Sequence, residues 1–146
     1  MNKIETAVKC FNDGFACAQA ILSTFGEDYG LDSKLALKIA DPFGAGMRGL
    51  SQTCGAVTGA FMVIGLKFGR IDANDLFSKE KTALLVEEFF IQFQERHGSL
   101  ICQQLIGYNL SIPEERKIAE QKGIIEQNCP QFVQSAAEIL EDILTY

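Results

Sequence analysis

The chain has 146 residues, 47% of them hydrophobic and 22% charged, which suits one globular domain with its own core and argues against disorder. Its formal net charge of -6 disfavours a nucleic-acid-binding surface, which needs a basic stripe, and equally a polybasic membrane anchor. The apolar run Gly55 to Leu66 falls short of the ~20 residues of a membrane span, so no membrane insertion is expected.

No alternating strand pattern is present, whereas helical signals recur along the chain. The first helix is expected over Asn2 to Phe11, stopping at Asn12-Asp13-Gly14. Asp13 then caps a second over Phe15 to Phe25, with Phe15, Ala18, Ile21, Leu22 and Phe25 at helical spacing. Asp32 or Ser33 caps a short helix over Leu35 to Ala40, closed by Asp41-Pro42. Phe43 to Ser51 is glycine-rich and reads as a loop. Ser51 or Thr53 caps a helix from Cys54 to Phe68 that is apolar nearly all round, which makes it the expected centre of the core. The longest helix starts at Asp72 or Asn74 and reaches about Arg96. Ser99 caps Leu100 to Ile106. Ser111-Ile112-Pro113-Glu114 has the form of a capping box before a helix over Glu114 to Lys122. The last helix is expected from Asn128-Cys129-Pro130 to about Leu144. The expected fold is therefore all-α: one domain, residues 1–146, of about six to eight helices around the buried Cys54 to Phe68 helix.

Glu5 stands where a signal peptide needs an apolar stretch, so a cytoplasmic, reducing location is expected. Five cysteines are then hard to explain as a disulfide framework, and an odd count leaves one unpaired. No C-x-x-C pair exists, which removes the thioredoxin motif and the common zinc-finger spacings. What the cysteines share is placement. Cys54 is three residues after Ser51, Cys102 three after Ser99, Cys17 four after Asp13, and Cys129 directly precedes Pro130. Each falls in or beside the first turn of an expected helix. A helix N-terminus carries unpaired N–H groups and partial positive charge, which stabilise a thiolate. The alternative is that each packs as a small buried hydrophobe. Cys10 lies inside the first helix and is read as structural, or as an occasional resolving thiol.

The hexapeptide Cys54-Gly55-Ala56-Val57-Thr58-Gly59, together with Cys17 in Gly14-Phe15-Ala16-Cys17-Ala18-Gln19-Ala20, Cys102 in Cys102-Gln103-Gln104-Leu105-Ile106-Gly107-Tyr108, and Cys129, resembles the putative redox-active protein family with a C…CGAxxG…C…C pattern. The likeness covers nearly the whole chain. It implies redox activity and gives no substrate. Members of the family are often encoded near transporter genes, and a related domain occurs in split-Soret-type cytochromes. This chain lacks C-x-x-C-H, so no covalent haem is expected.

Two chemistries remain open for Cys17, Cys54, Cys102 and Cys129: thiol–disulfide exchange, or a metal or iron–sulfur cluster held by four thiolates. Either makes the chain an oxidoreductase or electron carrier with a redox partner protein. Gly55, Gly59 and Arg48 are the expected cofactor-side residues. The glycines admit another backbone closely, and Arg48 offers positive charge to a thiolate, cluster or small anion. A reading of another class is a helical binding or assembly module, transport-associated, with cysteines used for packing.

Gly44-Ala45-Gly46-Met47-Arg48-Gly49 fits G-x-G-x-x-G, but it follows a helix rather than a strand, so it is read as a closely packing loop rather than a dinucleotide site. His97, the single histidine, is read as a polar helix-end residue rather than a ligand. Glu87-Glu88 and Glu114-Glu115 are neighbours that point about 100° apart and read as solvated faces. Phe89, Phe90 and Phe93 are read as core, with a helix–helix homodimer as a further use of that helix.

Overall fold

The computed structural model describes residues 1–146. Eight α-helices are present: α1 (Lys3–Asn12), α2 (Cys17–Gly26), α3 (Ser33–Ala40), α4 (Gly55–Phe68), α5 (Leu76–His97), α6 (Cys102–Ile106), α7 (Pro113–Lys122) and α8 (Ile124–Ile143). There are no strands, only one isolated antiparallel bridge between Thr53 and Ile101. The fold is the all-α bundle that the periodicity predicts. No helix is long and apolar enough to cross a membrane.

The most extensive helix pairing is α2 against α4. Gly59 makes it close: a methyl group there would lie 3.1 Å from the Ala18 carbonyl oxygen and 3.2 Å from Ile21 Cβ. Around this pair, α1 and α3 pack on α2, α5 packs on α4, and α8 touches α1, α2, α4, α5 and α7. Ile21, Leu22, Phe25, Val57, Val63, Ile64, Phe89, Phe93, Val133, Ile139, Leu140 and Ile143 are fully buried between them. Each such side chain contributes about 1.5–3 kcal/mol by leaving water. Phe90 is exposed, together with Phe77, Leu84 and Ile91 on the outer side of α5.

Several helix ends differ from the sequence expectation. Gly14 (φ 113°) breaks the chain, so Asp13 closes α1 instead of capping α2. The start of α2 is instead held by Gln19, which accepts the Ala16 N–H at 2.9 Å and donates to the Leu37 carbonyl at 2.9 Å. Cys54 is itself the N-cap of α4. Ser111 turns back to Asn109 Oδ1, so no capping box forms before α7. Gly123 (φ 63°) separates α7 from α8, which starts at Ile124 and carries Pro130 inside it. Cys129 is therefore interior to a helix and not in a first turn.

Candidate functional site

The segment between Phe43 and Gly55 reads as a loop in sequence, and its backbone is unusual. Ala45, Gly46, Met47, Arg48 and Gly49 all have positive φ, 53°, 66°, 69°, 50° and 85°, one turn of left-handed helix. For Ala45, Met47 and Arg48 this conformation is unfavourable by about 1–2 kcal/mol each. Hydrogen bonds hold it: Ser51 N–H to Ala45 O at 3.3 Å and Gln52 N–H to Gly46 O at 2.9 Å. Close packing explains the glycines. A methyl at Gly44 would lie 2.7 Å from Ala16 Cβ, and one at Gly46 2.6 Å from Cys102 Cβ. The G-x-G-x-x-G stretch thus presses against the residues beside Cys17 and Cys102, and it binds no strand.

From this turn the chain enters the antiparallel bridge. Cys102 N–H donates to Gln52 O at 2.6 Å, and Cys54 N–H donates to Leu100 O at 2.8 Å. These bonds set the starts of α4 and α6 side by side. Ser51, fully buried with φ 56°, locks the arrangement. Its Oγ accepts the Leu110 N–H at 2.7 Å, and its proton is shared between Tyr108 O at 3.5 Å and Cys102 Sγ at 4.0 Å.

Cys17, Cys54, Cys102 and Cys129 all line one pocket of about 440 Å³. All are free thiols. Cys17 opens α2, Cys54 caps α4, Cys102 opens α6, and Cys129 reaches in from α8. The Cys17 sulfur sits between two helix starts. It packs against Gly55, where an added methyl group would lie 2.7 Å from it. The neighbouring Cys54 thiol first, then the backbone amides of Ala18 and Ala56, draw the Cys17 thiol down to about 7 against the opposing effect of burial. Cys54 moves the other way, well up, because its proton bridges to Cys17 and because it is buried. Burial pushes Cys102 up to about 11, with the Ser51 hydroxyl acting against the rise. Burial also raises Cys129, with the charges of Cys17 and Cys102 adding to it. Of the four, Cys17 alone is drawn down, so it is the first to ionise as pH rises.

Gly55 also lines the pocket, directly against the Cys17 sulfur. Gly59 does not; its role is the α2–α4 approach. Arg48 is on the rim, largely exposed, 3.6 Å from Asp41. Cys10 lies outside the pocket, half-buried, 3.9 Å from Ser23 Oγ. His97 is also outside it, with Nε2 2.8 Å from Ser135 Oγ and its ring against Phe93 and Phe132. The thiol donor set has the softness that iron or zinc would need. Yet no group of three or more His, Cys, Asp or Glu side chains is placed to hold one ion, so the metal-centre expectation finds no support in this geometry. The sequence reading missed Ser51 and Gln19 as residues that build the site. Ser51 carried no visible signal beyond its distance of three residues from Cys54.

Three helix starts and the middle of α8 thus bring four cysteines to one pocket. The family described as Putative redox-active protein (C_GCAxxG_C_C) matches residues 15–143, and the chain belongs to it. In that description the hexapeptide begins Gly-Cys; here Cys54 precedes Gly55, so those two stand in the opposite order. Cys10 lies outside the matched residues. No curated protein matches the chain, and no solved structure does.

Proposed function

We propose that this protein carries out thiol–disulfide exchange, with Cys17 as attacking thiolate and Cys54 as resolving thiol. The observation that carries the reading is that Cys17 opens α2 and Cys54 caps α4 on one buried pocket, with the Cys17 sulfur packed against Gly55, the residue after Cys54. An attacking thiol works best with a pKa near ambient pH, and Cys17 lies there. Cys17 attacks one sulfur of a substrate disulfide and releases the other as a thiolate. Cys54 then attacks Cys17 in the mixed disulfide, and its proton goes to the second departing thiolate. The sum is protein dithiol plus disulfide giving protein disulfide plus two thiols, and the proton that Cys17 had lost is taken from water by the first thiolate. Cys102 and Cys129, being thiols at neutral pH, serve as reserve partners rather than nucleophiles.

The pH dependence of alkylation by iodoacetamide, mapped by peptide mass, tests the assignment. Cys17 is expected to react first, with a rate midpoint near pH 7 that moves upward in Cys54→Ala. If the cysteines only fill space, all five react slowly and the variant shifts no midpoint.

A further inference from the structure

We infer that the disulfide this pocket takes is small, uncharged and largely apolar, rather than a disulfide of another protein; this rests on the exchange reading above. Access is the first argument. Cys17, Cys54 and Cys102 are only 7%, 6% and 7% exposed, so an oxidant must come into the pocket to meet them. The pocket, about 440 Å³, is within the range of small-molecule sites. A protein disulfide arrives with two chains attached and does not enter such a space.

Lining is the second argument. Beyond the cysteines, the wall includes Phe15, Leu105, Ile106, Leu110, Ile125 and Phe132. An apolar wall favours alkyl or ring carbons next to the sulfurs. Charge is the third. The charged residues of the pocket are Asp41, Glu126 and Arg48. Arg48 is engaged with Asp41 at 3.6 Å, while Glu126 has no ion-pair partner, so the mouth is net negative on a chain of net charge -6. Anionic disulfides are repelled from it.

Reduced full-length protein is mixed with each of four oxidants: 2-hydroxyethyl disulfide, lipoamide, glutathione disulfide and insulin. Loss of the Cys17 and Cys54 thiols is read by quenched alkylation and mass. Each rate is divided by that of dithiothreitol with the same oxidant. The two neutral small disulfides are expected to react at least about tenfold faster, so normalised, than glutathione disulfide or insulin. Equal normalised rates for insulin overturn the inference and leave exchange standing. Equal rates for glutathione disulfide remove the charge preference and with it the inference as stated. If none of the four oxidises the pair, while the thiols of the unfolded chain react, the exchange reading falls and takes the inference with it. Leu105→Trp, which fills the wall, is expected to slow the neutral pair toward the glutathione rate. An unchanged rate in a folded Leu105→Trp protein means the oxidant does not use this pocket.

Discussion

The absence of a side chain at Gly55 leaves the space into which the Cys17 sulfur fits: a methyl group at position 55 would lie 2.7 Å from that sulfur, 2.8 Å from the Phe43 carbonyl oxygen and 3.0 Å from the Ala18 nitrogen. The residue after Cys54 thus sets how close Cys17 comes to Cys54 and to the Ala56 amide.

Gly55→Ala is therefore expected to destabilise the fold by about 1–3 kcal/mol, the usual range for overpacking. It should also raise the Cys17 pKa by moving the sulfur away from its donors. Denaturant unfolding of the reduced protein reads the first effect, and the alkylation midpoint reads the second.

Stability should vary with pH in a way that names the cysteines. An ordinary thiol titrates at 9.0, and Cys17 in the fold near 7. Between those values the unfolded chain binds more protons at this group, so its contribution to stability rises with pH from about 7 to 9. Cys54, Cys102 and Cys129 are raised, so above 9 the folded chain binds more protons and stability falls. The cysteine contribution has its maximum between about pH 8 and 9, where the two slopes cancel. In Cys17→Ala the rise above about pH 7 is expected to disappear, which unfolding curves taken across pH under reductant will show.

Ser51→Ala leaves the Leu110 N–H without its acceptor in the interior, a loss of about 1–3 kcal/mol. Because the Ser51 hydroxyl acts against the rise in Cys102, the same variant should push Cys102 higher still and slow its alkylation above pH 9. Unchanged stability would mean that the Leu110 amide finds water instead.

Gly59→Leu should weaken the fold more than Gly55→Ala, because the added side chain meets the Ala18 backbone and Ile21 Cβ across the α2–α4 contact. A drop of about 3 kcal/mol or more in denaturant unfolding is expected, with loss of the low Cys17 pKa as the helix starts separate.

The helices themselves were legible in sequence because their apolar spacing and glycine stops are local. The α4 helix packs into the core as its composition predicts, although α2 is the more completely buried of the two, and Asp32 caps α3 as read. Pro130 has the sequence signature of a first-turn residue, yet Gly123 in the left-handed region ends α7 and lets α8 begin at Ile124. Cys129 reached the pocket all the same, from the middle of α8. The shared pocket itself was not legible, since it depends on pairings such as Cys102 with Gln52 and Ser51 with Leu110, which lie about fifty to sixty residues apart in the chain. The left-handed turn at Ala45–Gly49 was also hidden, because Ala, Met and Arg do not announce positive φ.

The central claim is the pairing of Cys17 with Cys54. Its most direct test is peptide mapping of the protein after oxidation by one equivalent of 2-hydroxyethyl disulfide, with remaining thiols alkylated in acid-quenched, unfolded protein. A Cys17–Cys54 crosslink is expected, with Cys10, Cys102 and Cys129 recovered alkylated. A crosslink confined to Cys102 and Cys129, or Cys17 recovered as a free thiol, would contradict it.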